Sequence, residues 1–261
     1  MTDRITPLDG VRNFRDFGGY ETVDGGRVKR GLLFRSGHYA EATDADTAKL
    51  DSFGIVFQAD LRRPDERERQ VNRWPGDKVN VLTSDGGRET TSPHVRFLSE
   101  VEAGPEDAES WMNDYYKTAP FKAHHVELFS AWFDQLAGLG DQDAALVNCA
   151  AGKDRTGILC ALTKHVLGVS EADIFDDYDL TNTAVDVDAR LPDAHAYFND
   201  MLGKTYPAEV YRPFLGVRRE YLRTAFNTIE AEQGSIDVYL TDVLDVTNEM
   251  RDALKARLVE R

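Results

Sequence analysis

Cysteine is scarce in this chain: its 261 residues contain two, Cys149 and Cys160. A disulfide framework is therefore excluded as the source of its stability. Long apolar runs are also missing. None approaches the roughly 18 residues that a membrane-spanning helix needs. The opening stretch MTDRITPLDG has no apolar centre and no small-residue cleavage site, so no secretory signal is read there. The expected location is the cytoplasm, with export that needs no signal peptide left open. Positive charge is in deficit, with 31 Lys and Arg against 46 Asp and Glu, a formal charge of -15. Such a surface repels nucleic acid and anionic lipid, so neither nucleic-acid binding nor stable membrane association is expected. Phosphorylated ligands are repelled too, unless cations are concentrated locally. Internal repeats and Gly/Ser or Pro linkers are absent, and residues 1–261 read as a single domain.

Against these absences, 41% of the residues are hydrophobic, enough for a globular core. Residues 11–37 alternate apolar and polar side chains around Asp24-Gly25-Gly26, which predicts an N-terminal β-hairpin. Thr43 and Asp46 suggest a capped helix that closes at Gly54. Residues 54–62, 78–84 and 144–149 read as strands, and 121–140 and 155–168 as helices. Ser170 and Asp173 open a further helix, and from there the chain reads as helical to its end. Residues 85–119 resist assignment, with Pro93 and Pro105 as breaks. Buried strands alternating with helices predict an α/β fold with a mostly parallel central sheet.

One stretch carries the chemistry: VNCAAGKDRTGIL, residues 147–159. A strand before it and a helix after it would place Cys149 at a strand's carboxyl end, where ligands bind in open α/β sheets. The residues that follow would curl over a helix N-terminus, whose free N–H groups and dipole suit a tetrahedral dianion. Ala150, Ala151 and Gly152 are small enough for close approach, and Arg155 can fork onto two phosphate oxygens where lysine could not. The same field favours a thiolate on Cys149, placed for in-line attack on phosphorus. The expected chemistry is a phosphocysteine intermediate followed by hydrolysis, without metal or other cofactor.

Cys149, Gly152, Arg155 and Thr156 fit the Cys-x5-Arg-Ser/Thr pattern of the cysteine-dependent tyrosine-phosphatase superfamily. The fuller CAAGKDRTG resembles the bacterial tyrosine and lipid phosphatases, whose loop reads His-Cys-x-x-Gly-Lys-Asp-Arg-Thr-Gly. NFRDFGGY (13–20), GLLFRSG (31–37), DLRRPDE (60–66), DYDLTN (177–182) and residues 219–240 are similar to that branch as well. The resemblance implies a tyrosine-phosphatase-like fold and a phosphate cradle built from Ala150, Ala151, Gly152, Lys153 and Thr156. It implies Asp154 as the general acid, with Asp85 and Asp77 as alternatives. RWPGDK (73–78) is only superficially like the Trp-Pro-Asp loop of other tyrosine phosphatases, because Gly76 stands where the aspartate should be. The Lys153-Asp154-Arg155 run also resembles loops of phosphoinositide phosphatases. Substrates would be phosphorylated proteins, phosphoinositides or small phosphomonoesters, and phosphate or vanadate would occupy the site. Asn148 departs from the family's histidine; an amide can hold the loop but carries no proton-linked charge.

Other residues admit two readings. Asp60 and Arg62 are a supporting ion pair or a direct substrate contact. Arg12, Arg15 and Arg35 are hairpin surface charges or part of a positive rim. His124 and His125 read as solvated surface, and Cys160 as a core thiol. Residues 185–215 are a packed helix or a helical lid. A catalytically silent phosphate-binding module and a thiol redox protein using both cysteines are the competing functions.

Overall fold

The computed structural model describes residues 4–261. Its central sheet has the order β1 (Arg15–Asp16), β3 (Leu33–Ser36), β6 (Ala144–Asn148), β4 (Ile55–Asp60) and β5 (Asn80–Leu82). β3, β6, β4 and β5 run parallel, and β1 joins the edge antiparallel through Arg15↔Arg35 and Asp16↔Phe34. This is the mostly parallel α/β arrangement predicted above. The predicted hairpin is also present. Its turn closes through a Gly25 N–H bond to Thr22 O (3.0 Å), and an antiparallel bridge joins Glu21 to Arg27. One strand was not foreseen: β7 (Val259–Glu260) returns from the C-terminus to pair with β2 (Arg27–Val28).

Strand β6 shows why the sheet is covered on both faces. Ala145 and Val147 enter the main core with Phe57, Trp132 and Ile158, while Ala144 and Leu146 face a second core with Phe14, Phe34, Leu50 and Trp74. Successive side chains of a strand point to opposite faces, so an unbroken apolar run needs helices on both. The first helices in chain order are α1 (Asp44–Asp51), α2 (Pro64–Arg69), α3 (Pro93–Glu100), α4 (Pro105–Thr118), α5 (Ala123–Ala137), α6 (Asp154–Val166) and α7 (Glu171–Val185). There follow α8 (Val187–Leu202), α9 (Arg212–Leu215), α10 (Arg219–Gln233), α11 (Ile236–Val238) and α12 (Asn248–Leu258). The predicted caps are in place: Thr43 and Asp46 form a reciprocal capping box on α1, and Ser170 Oγ accepts from Asp173 N on α7.

The stretch without assignment, 85–119, holds two helices that begin at the very prolines read as breaks. Proline suits the first helical turn, where its missing N–H would have no partner. With α8 and α9 these helices enclose a third core of Leu98, Ala108, Leu191, Tyr206, Val210 and Tyr211. No helix among the described residues is long and apolar enough to cross a membrane.

Candidate active site

The loop between β6 and α6 has its carbonyls tied outward. Ala150 O accepts from His38 N (3.2 Å), and Gly152 O accepts from Asn13 Nδ2 (2.7 Å) and Arg35 Nη2 (2.8 Å). The N–H groups of Ala150, Ala151, Gly152 and Lys153 donate to no acceptor among the described residues. Gly152 makes the bend possible, with φ at +67°, and a Cβ there would overlap the backbone of Ser36 and Gly37. Unpaired amides at a helix N-terminus form an anion cradle. Cys149 lies at its mouth, 2% exposed.

Arg155 is fixed before any ligand arrives. Its Nη1 donates to Glu66 Oε2 (2.6 Å) and Leu61 O (3.0 Å), and its Nη2 donates to Glu66 Oε1 (2.8 Å). A guanidinium has five N–H donors, so Nε–H and one Nη2–H remain on a single edge for two phosphate oxygens. Glu66 is the functional residue that sequence reasoning missed. It sits in DLRRPDE, a segment noted for resemblance in which only Asp60 and Arg62 were given a role.

Burial disfavours the Glu66 carboxylate, yet the Arg155 charge outweighs burial and, helped by Arg63, holds the carboxyl down at about 2 against an ordinary 4.5. A folded-state value below the unfolded one adds stability above the unfolded value, and that stability is lost as pH falls towards the folded value. The gap corresponds to about 3 kcal/mol. Glu66→Gln is therefore expected to cost about 3 kcal/mol in urea unfolding at pH 7. The deficit should shrink as pH falls from 4.5 towards 2. A deficit independent of pH would mean that the ion pair is not its cause.

Asp154 opens α6, and its Oδ1 accepts from Tyr116 Oη (2.7 Å) and pairs with Lys153 Nζ (3.2 Å). Tyr116 also bonds Tyr178 Oη (2.6 Å), the tyrosine of the DYDLTN segment. Thr156 is fully buried and its hydroxyl has no partner among the described residues. Asn148 donates to Asp60 Oδ1 (3.1 Å) and accepts from Gln58 Nε2 (2.7 Å), while Arg62 pairs with Asp60 (2.6 Å). Asn148, Asp60, Gln58 and Arg62 all lie outside the cavity lining.

That cavity, about 310 Å³, takes in Cys149, Ala150, Ala151, Lys153, Asp154 and Arg155 from the loop. Trp111, Tyr115, His94 and Phe214 supply aromatic walls. Neither Asp77 nor Asp85 lines it; both are exposed, and Asp85 pairs with Arg67 (3.4 Å). Trp74 of RWPGDK is buried against Tyr39 and donates to Asp51 (2.9 Å), a packing role.

Several expectations need correction. Arg15 and Arg35 are neither hairpin surface nor rim: both are fully buried and, with Lys164, surround Asp177. The ring formed by these cations offsets burial and keeps Asp177 ionised. Arg12 alone is exposed, paired with Glu41 (3.4 Å). His125 is not solvated, because it is 2% exposed with its Nδ1 on Ala119 O (2.7 Å), and His124 lines the cavity beside it. Burial, reinforced by nearby cations, depresses both imidazoles, so they are neutral at pH 7. Lys153 contributes its backbone N–H to the cradle, but its ammonium turns away to Pro213 O (3.2 Å) and Gly216 O (3.0 Å). Among the described residues no cluster of His, Cys, Asp or Glu is arranged to hold a metal. Cys160 is a buried free thiol in the main core.

Residues 6–260 match the sequence profile of the tyrosine phosphatase family. The chain belongs to that family. A putative tyrosine-protein phosphatase of Cupriavidus necator is 30% identical over 248 residues, covering 92% of this chain and 84% of that protein. The triple specificity protein phosphatase PtpB of Mycobacterium tuberculosis is 29% identical over 270 residues, covering 91% and 93%. This family member is thus an enzyme of the cysteine-based phosphatase type, whose substrates are phosphorylated.

Proposed function

We propose that the protein hydrolyses phosphotyrosine and other aryl phosphomonoesters, with phosphoinositides as further substrates, in a single domain in the cytoplasm. Reducing conditions there would keep Cys149 free. The observation that supports this most is the cradle itself: four unpaired amides, an anchored guanidinium with one free edge, and a cysteine at one cavity. Aromatic walls suit an aryl ester better than phosphoserine. In this reading the Cys149 thiolate attacks phosphorus and the P–O bond to the leaving group breaks, with Asp154 giving that oxygen its proton. Tyr116 engages Oδ1, which leaves Oδ2 as the oxygen to carry that proton. Water then attacks the phosphocysteine, Asp154 takes one of its protons, and the S–P bond breaks to release phosphate and the thiolate.

Hydrolysis of p-nitrophenyl phosphate in excess EDTA tests the reading. Full turnover, competitive inhibition by orthovanadate and a phosphoenzyme trapped by acid quench are expected. Turnover lost in EDTA and restored by a divalent cation would reject it.

A further inference from the structure

The cations that line the cavity differ in what they have left to give. Arg155 is held by Glu66, Arg63 pairs with Asp65 (3.2 Å), and Arg88 donates two hydrogen bonds to Glu68 (2.7 and 2.8 Å). Lys153, the loop lysine expected to meet substrate, is spent on two backbone carbonyls and Asp154. Lys122 is different. It stands on the cavity wall at the start of α5, with its ammonium 4.8 Å from the centre of the Tyr115 ring. Its ammonium makes no ion pair or hydrogen bond to any described residue. The lining acid whose charge reaches it, Glu89, is already paired with Arg96 (3.4 Å). Burial, then the Arg155 and Arg63 charges, push the Lys122 ammonium below its ordinary value.

An unpaired ammonium facing other cations in a half-buried wall is electrostatically unfavourable until an anion arrives. Net charge makes this more pointed, since the chain as a whole carries -15. The phosphate in the cradle is served by Arg155 and the amides, so the anion for Lys122 is a second one. We infer that Lys122 recognises a second phosphate on the same substrate, carried on the same small ring as the phosphate that reacts. The inference rests on the phosphatase reading above. Position favours a ring over a peptide. In a phosphotyrosine peptide the neighbouring acidic side chains branch from the backbone, a whole tyrosine away from phosphorus. Two phosphates on one ring can both fit inside about 310 Å³.

The test compares myo-inositol 4-phosphate with myo-inositol 4,5-bisphosphate, each free in solution and as the corresponding phosphatidylinositol in phosphatidylcholine vesicles. Wild type is expected to prefer the bisphosphate by about tenfold in kcat/KM, the effect of one partly desolvated charge pair. Lys122→Met should bring the bisphosphate to monophosphate ratio close to one, mainly through KM, and Lys122→Arg should restore it. Because it is a ratio within one protein, a partly misfolded variant does not mimic the effect. A fall in both series assigns the ring bisphosphate whether free or lipid-borne, and a fall confined to vesicles assigns the lipid form. Absence of a wild-type preference, or a ratio unmoved by Lys122→Met in both series, overturns the inference. Wild type that hydrolyses neither ester nor p-nitrophenyl phosphate would instead sink the phosphatase reading.

Discussion

Cys149→Ser should lower kcat for p-nitrophenyl phosphate by about 10⁴-fold or more, while inorganic phosphate still binds within a few-fold of wild type. The serine hydroxyl fits the same space but does not ionise near neutrality, so the nucleophile is lost and the cradle is kept. Its amides belong to residues 150–153, and their outward-tied carbonyls depend on His38, Asn13 and Arg35 rather than on the sulfur. Product inhibition by phosphate measures the cradle, and single-turnover rates measure the nucleophile. Turnover within tenfold of wild type would show that phosphorus is attacked by something other than this cysteine. A silent phosphate-binding module would give the same phosphate affinity in both proteins and no turnover in either.

The second large effect depends on the leaving group. Asp154→Asn should cost roughly 10³-fold in kcat with phenyl phosphate, whose phenolate is a poor leaving group. With p-nitrophenyl phosphate the loss should be roughly tenfold or less, because that phenolate departs with little help from a proton. The geometry supports this split: Asp154 lines the cavity with Cys149 and Arg155, and Tyr116 holds one of its oxygens at 2.7 Å. Equal losses with the two esters would move the acid elsewhere.

Much of the fold was legible in local patterns. β6 read as a short buried apolar run and α1 as a capped helix, because both signals lie within a few residues of one another. Residues 85–119 were opaque for a physical reason. Their helices begin at prolines, which sequence alone reads as breaks, and they bury apolar faces against segments some 100 residues on, α3 against α8 and α4 against α9 and α10. The closing strand β7 is two residues long, too short for any periodicity, and exists because β2 offers it a partner.

The same division runs through the site. Cys149, Gly152, Asp154, Arg155 and Thr156 fall in one short loop, and the helix N-terminus that leaves its amides free is local, although His38, Asn13 and Arg35 tie its carbonyls outward. Which charges serve that cradle is another matter, because charge is spent on whichever partner the fold brings near. Glu66 lies 89 positions from Arg155 and locks it, Asp177 draws Arg15 and Arg35 into the interior, and the carbonyls of Pro213 and Gly216 take the Lys153 ammonium. Sequence by itself determined the cysteine proposed as nucleophile and the loop proposed to bind the anion, since they are neighbours along the chain. Tertiary structure alone decided which cations stay free to meet a substrate, because electrostatic pairing depends on distance in space, which residue order does not record.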